Sequence, residues 1–211
     1  GNLDTAALTT AAAGNSMVLV TWFDQSGSGN DATQGSSLLR PKIYDATTGV
    51  VTSLNGKPAM DFTGTQELKS ASITAIAQPS TAISVVDTTG RTAQAGYFYS
   101  LGLTAYASIQ DNSGTMRMYA GSFVSGTGGA NTQRLDFSLF DGANSQIWFN
   151  GSSILTGNPG TNGISGIRIG GFSSPNFKGY FSEFIAYPSD QDAAGNRTGI
   201  ETNINFFYDI Y

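Results

Sequence analysis

Ile147-Trp148-Phe149-Asn150-Gly151-Ser152-Ser153-Ile154 and, further on, Phe177-Lys178-Gly179-Tyr180-Phe181-Ser182-Glu183-Phe184-Ile185-Ala186-Tyr187 are the two stretches whose reading decides the fold. In the first, Asn-Gly sits between apolar runs and supplies the pair of positive φ angles that a type I′ turn needs, so the segment reads as a β-hairpin. The second reads as a strand entered over a glycine. Strict alternation would put Phe181, Glu183, Ile185 and Tyr187 on one face and Tyr180, Ser182 and Phe184 on the other. A tight hairpin followed by a half-polar strand is the grammar of antiparallel sheets.

Outward from these stretches the pattern repeats. Residues 17–23 (MVLVTWF) are a dense run of β-formers and read as one strand. They lead into a polar, glycine-punctuated loop over residues 24–34. Residues 50–52 and 54–62 read as a turn and a strand; 81–87, 97–103, 105–111 and 115–120 are short strands separated by Gly, Asn or Asp. Residues 134–140 alternate cleanly, with Leu135, Phe137 and Leu139 against Arg134, Asp136 and Ser138, which predicts one buried and one wet face. Near the end, Ile200, Ile204, Phe207 and Tyr208 recur at helical spacing and form one apolar stripe. Residues 4–13 fit either a short helix or an extended lead-in. The expectation is an all-β fold: a two-sheet antiparallel jelly-roll sandwich with a short C-terminal helix, residues 1–211 forming a single domain.

Composition narrows the chemistry. The chain carries a net charge of −5, only 12% charged residues, 27 glycines, no cysteine and no histidine. Phosphate backbones demand clustered cations, so nucleic acid is not an expected partner. Without Cys or His there is no disulfide framework, thiol nucleophile, imidazole triad or imidazole-based metal site. No apolar run approaches the roughly 18 residues of a membrane span. A surface solvated by Ser, Thr, Asn and Gln suits an extracellular or virion setting.

Residues 21–34 (TWFDQSGSGNDATQ), then 40–45 (RPKIYD) and 56–62 (GKPAMDF), resemble a pattern found in concanavalin A-like, laminin-G-like modules of bacteriophage structural and tail proteins. Residues 183–191 (EFIAYPSDQ) and the closing helix resemble the end of the same modules. The resemblance implies a concanavalin A-like sandwich spanning nearly the whole chain. It further implies a virion recognition or decoration role, with surface glycan or neighbouring subunits as partners, commonly as a homo-oligomer. The same blocks resemble, more distantly, the catalytic domain of the arabinofuranosidase B family, a retaining glycosidase. On that resemblance Asp190 fits the acid/base position, whereas no segment matches the nucleophile motif and a chain without cysteine cannot supply the family's cysteine pair.

Three sets of residues are candidate sites. Sugar rings stack on aromatic faces, and Tyr97, Tyr99, Tyr106, Tyr119, Trp148 and Phe172 are candidate platforms, with Asn112, Arg117 and Asn131 as hydrogen-bonding neighbours; strand aromatics equally often fill cores, the expectation for Trp22 and Trp148. The loop at 121–132 is the expected binding edge. Asp24, Asn30 and Asp31 offer the oxygen donors calcium prefers, and Asx-turn chemistry explains the same residues without a metal; no cofactor is required by any reading. Glu183 is expected to pair with Lys178 or Arg168, or to cap backbone.

Overall fold

The computed structural model describes residues 3–90, 95–103, 108–112, 114–128, 132–171, 176–193 and 195–211; the side chains of 95, 97, 108 and 110–112 are outside the description. After a first helix (α1, Thr5–Ala12) come β1 (Met17–Val18), β2 (Thr21–Trp22), β3 (Ala32–Thr33), β4 (Lys42–Asp45), β5 (Gly49–Val50), β6 (Met60–Thr63) and β7 (Leu68–Lys69). The middle of the chain forms β8 (Ser80–Asp87), β9 (Ala95–Ser100), β10 (Ser108–Asn112), β11 (Thr115–Tyr119) and β12 (Phe123–Thr127). Then follow β13 (Gln133–Phe140), β14 (Ser145–Phe149), β15 (Ser152–Gly157), β16 (Arg168–Ile169), β17 (Lys178–Tyr187) and the closing helix α2 (Arg197–Tyr208).

These strands make two antiparallel sheets. One has nine strands in the order β1-β4-β6-β17-β8-β13-β14-β15, with β5 beside β4; the other has eight, in the order β12-β11-β10-β9-β16-β7-β3-β2. The main core lies between them, built from Phe62, Phe181, Ile147 and Phe149 of the first sheet and Phe98, Ile109, Met116 and Met118 of the second. A smaller core covers the outer face of the nine-stranded sheet, where Ile204 and Tyr208 of α2 rest on Ile83, Val85, Leu135, Phe137 and Trp148. The all-β sandwich read from the sequence is therefore the fold observed.

The Asn150-Gly151 hairpin is confirmed in detail. Both residues have left-handed φ, 49° and 75°, as the I′ turn requires. Asn150 also exchanges two hydrogen bonds with Leu135: its N–H donates to the Leu135 carbonyl, and its Oδ1 accepts from the Leu135 N–H at 2.9 Å. Asn150→Val should therefore cost about 1–3 kcal/mol of backbone strain and about 1 kcal/mol more for the lost side-chain bond. The melting temperature should fall by roughly 5 °C or more; no shift would mean that neighbouring strands hold the turn unaided.

Several expectations are corrected. Residues 17–23 are not one strand: β1 pairs with β4 in one sheet and β2 with β3 in the other, so the chain changes sheets at Leu19-Val20. In β17 the register shifts between Phe181 and Glu183, leaving Ser182 as an extra residue. That bulge reverses the alternation, so Phe181 and Phe184 share the main core while Ile185 and Tyr187 lie against the helix-side core. On β13, no face is wet. Leu135, Phe137 and Leu139 lie in the helix-side core, and Arg134, Asp136 and Ser138 are all 0% exposed. Phe207 stands at the margin of the helical stripe, more than a third exposed, with Lys57 Nζ 4.4 Å from its ring centroid.

Candidate functional site

The outer face of the eight-stranded sheet gathers part of the expected platform. Along β11, Met116 and Met118 are buried and Thr115, Arg117 and Tyr119 are not, so period-2 geometry sends the latter three outward. The next strand, β12, is the sheet edge, and register pairs Tyr119 with Phe123 and Arg117 with Ser125. The Tyr119 and Phe123 rings lie 4.8 Å apart at 51°. The Arg117 guanidinium sits 5.5 Å from the Phe123 centroid. Phe123 is 51% exposed, a large apolar ring held open on a hydrogen-bonded scaffold. Residues 123–127 were expected to be loop. The Ser/Gly content (FVSGT) hides a strand whose Gly126 lies so close to β15 that an added Cβ would meet Leu155 Cδ1 at 3.0 Å.

Tyr99 does not join this surface. The β9–β10 register shifts so that Ile109 faces Tyr99 and Gln110 faces Tyr97, making Phe98 an extra residue. The bulge turns Tyr99 inward, where it is 0% exposed, its ring 5.0 Å from Phe184. Burial pushes its hydroxyl pKa up. Its face is closed to any ligand. Trp148 is likewise buried, under Arg197 of α2. Tyr106, Asn131 and Phe172 lie outside the described residues, as do the side chains of Tyr97 and Asn112. The backbone register nonetheless sets Asn112 opposite Thr115, and Gln110 opposite both Arg117 and Tyr97.

In the loop after β2, Asp24 accepts from the N–H groups of Ser26 at 2.8 Å and Asn30 at 2.9 Å, while Asp31 Oδ1 accepts from the Asp24 N–H at 2.8 Å. The bond from the Asn30 amide, then those from Ser26, hold the Asp24 carboxyl below its usual pKa. Gly27 and Gly29 take the positive φ of the turns between. Protein hydrogen bonds thus account for the conformation of Asp24, Asn30 and Asp31, and among the described residues no three His, Cys, Asp or Glu side chains form a metal-holding group.

Asp190, the one carboxylate that the hydrolase resemblance singles out, and Glu183 have different surroundings. Asp190 Oδ1 accepts from the N–H groups of Asp192 and Ala193 at 2.7 and 2.9 Å, shaping the turn that leads to α2. Glu183 lies on β17 beneath α2 with Tyr208, whose hydroxyl donates to the Ser182 carbonyl at 3.4 Å, as its electrostatic neighbour, and not the expected Lys178 or Arg168. Burial raises the Glu183 pKa above its usual 4.5, with the nearby Tyr208 hydroxyl opposing. A raised folded-state pKa means that ionisation costs stability as pH climbs above 4.5, and that this cost is absent below it. Glu183→Gln, which keeps the side chain's size and a polar amide, should raise the melting temperature at pH 7 by roughly 1–3 °C. The gain should vanish below pH 4.5; a pH-independent gain would point to packing instead.

No protein-family model matches the chain, and no curated protein matches it. Solved structures do. An arabinofuranosidase in complex with arabinofuranosyl-α-1,2-xylobiose superposes with a TM-score of 0.64 at 16% identity, covering 95% of this chain and 53% of that one. A Trypanosoma rangeli sialidase superposes at 0.57 with 13% identity, over 85% and 30%. A complex of the sialidase from that organism with the inhibitor DANA gives 0.50 at 13%, over 67% and 27%. At these identities the likeness is one of fold. This chain spans no more than 53% of the length of any of the three. Among the described residues no helix is long and apolar enough to cross a membrane.

Proposed function

We propose that the chain is a non-catalytic carbohydrate-recognition module that binds through the outer face of its eight-stranded sheet, around Arg117, Tyr119 and Phe123. The observation that carries this reading is the exposed Phe123 ring, paired across the strands with Tyr119 and flanked by the Arg117 guanidinium. Apolar ring faces bind the C–H side of a sugar, and a planar guanidinium binds its oxygens, on strands that need no reordering. The fold likeness to an arabinofuranosidase and to sialidases supports a carbohydrate context. The turn bonds to Asp190 give that carboxylate a structural task. The sequence resemblance adds a setting, a phage tail, fibre or capsid-decoration domain, with neighbouring subunits as further contacts.

A glycan array followed by titration tests the reading. Phe123→Ala should weaken a bound glycan about tenfold, equivalent to about 1.4 kcal/mol, with the melting temperature little changed because the ring is exposed. An array on which nothing binds would remove the proposal. So would turnover of a chromogenic arabinofuranoside that is lost in Asp190→Asn.

A further inference from the structure

One line of register partners crosses the whole eight-stranded sheet. Phe123 pairs with Tyr119, Tyr119 with Ser108, Ser108 with Ser100 and Ser100 with Arg168. Arg168 pairs with Lys69, Lys69 with Thr33 and Thr33 with Thr21. The row alternates with the buried residues Leu68, Ile169, Met118 and Ala32, which puts its positions on the outer face, with Ser100 in the middle itself covered (0% exposed) and Phe123 and Lys69 open on either side of it. Its two ends differ in chemistry. The Tyr119–Phe123 end is aromatic and has Arg117 two residues along the strand. Beyond the centre of the row stand Arg168, mostly covered, and Lys69, about half exposed, three and four strands away from Tyr119. At 4.7–4.9 Å per strand, Tyr119 and Arg168 positions are roughly 14 Å apart.

Charge on this face runs against that of the protein. The described charged side chains on these eight strands are Lys69, Arg117 and Arg168, all cationic, in a chain with 15 acidic and only 10 basic residues. The neighbouring carboxylate is Glu67, which lies 3.8 Å from Lys69 Nζ and 3.7 Å from Arg168 Nε, one anion set between two cations at distances longer than a direct hydrogen bond. A fork-shaped guanidinium and an ammonium in line with an aromatic pair form a surface for a chain that is stackable and negatively charged.

Resting on the recognition reading above, we infer that this face selects anionic glycans: oligosaccharides whose neutral ring faces stack at Tyr119–Phe123 and whose carboxylate or sulfate groups reach Arg168 and Lys69. Glu67 then acts as a specificity element, since it partly neutralises the two cations and sets how much negative charge a ligand must bring.

Binding of the whole protein to polygalacturonate, dextran sulfate, neutral dextran and oligo(dT) tests the inference, by affinity electrophoresis and titration. An anionic polysaccharide should bind at least about tenfold tighter than dextran at 50 mM NaCl and lose several-fold at 300 mM, as screening demands. The stronger of polygalacturonate and dextran sulfate names the anionic group. Lys69→Gln, at an exposed site, should weaken anionic binding several-fold, and Glu67→Gln should strengthen it. Neither should move binding of a neutral glycan found on the array. Melting curves on each variant check folding, and Lys69→Gln decides the outcome if Glu67→Gln is destabilised. Equal binding of dextran and the anionic polymers, or no effect of Lys69→Gln, would overturn the charge selection while leaving sugar recognition intact. Oligo(dT) binding as tightly as the polysaccharides would overturn it in favour of nucleic acid. Absence of binding to every glycan, neutral ones included, would sink both readings together.

Discussion

Asp136→Ala is expected to destabilise the protein by about 3–5 kcal/mol, the usual cost of removing one partner from a buried ion pair. Asp136 Oδ1 accepts from Arg134 Nε at 2.8 Å, and the two side chains are 0% and 1% exposed. The guanidinium lies between two rings, 4.7 Å from the Phe98 centroid and 4.6 Å from that of Phe149. Among the described residues its Nη1 and Nη2 have no hydrogen-bond acceptor. Aromatic faces stabilise a cation only modestly, so without Asp136 a full charge would stay in the middle of the sandwich with quadrupoles as its main partners. For a protein of this size the melting temperature should drop by roughly 10 °C. The double variant Arg134→Met with Asp136→Leu should recover most of that loss, because it removes both desolvation costs at once. A single variant as stable as the parent would show that water reaches the pair or that the inter-sheet space rearranges around it.

Deleting residues 197–211 is expected to abolish the native state, leaving molten or insoluble protein. The helix covers the outer face of the nine-stranded sheet, where Ile204 and Tyr208 are buried against Ile83, Val85, Leu135 and Phe137. Each such side chain contributes roughly 1.5–3 kcal/mol through burial. The attachment is also polar. Arg197 bonds Asp192 at 2.7 Å and Glu201 at 2.9 Å while its guanidinium lies 4.7 Å from the Trp148 ring centroid. Asn55 donates to the carbonyls of Tyr208 and Asp209 at the other end. Removing the helix would expose a contiguous apolar sheet face, a form of surface that soluble monomers rarely tolerate. Ile204→Ala provides a milder comparison, at about 2–5 kcal/mol. A truncated chain that melts cooperatively near the parent temperature would show that α2 is an accessory.

Local signals determined a good deal of this protein. The Asn150-Gly151 turn was legible because only a few residues accept its backbone angles. The apolar stripe of Ile200, Ile204 and Tyr208 was legible because helical periodicity is a property of the chain itself. The sheet strands around residues 81–87 and 115–120 were legible from β-branched and aromatic runs between turn formers. Arg117 and Tyr119 could be placed together on a face because they lie two apart on one uninterrupted strand.

Tertiary structure alone decided which face was which. Bulges at Phe98 and Ser182 each insert one residue and so invert every side chain beyond them, and nothing in the residue types announces a one-residue slip in pairing. That slip is why Tyr99 is inside and why Phe181 parts company with Ile185. The alternation of β13 was read correctly as a pattern and wrongly as an environment. Polar residues ordinarily signal solvent, but here α2 covers the apolar face, and the second sheet encloses Arg134, Asp136 and Ser138. The cationic row has the same origin. Lys69, Arg168 and Tyr119 are far apart along the chain, and only the hydrogen-bonded register of five separate strands brings them into line.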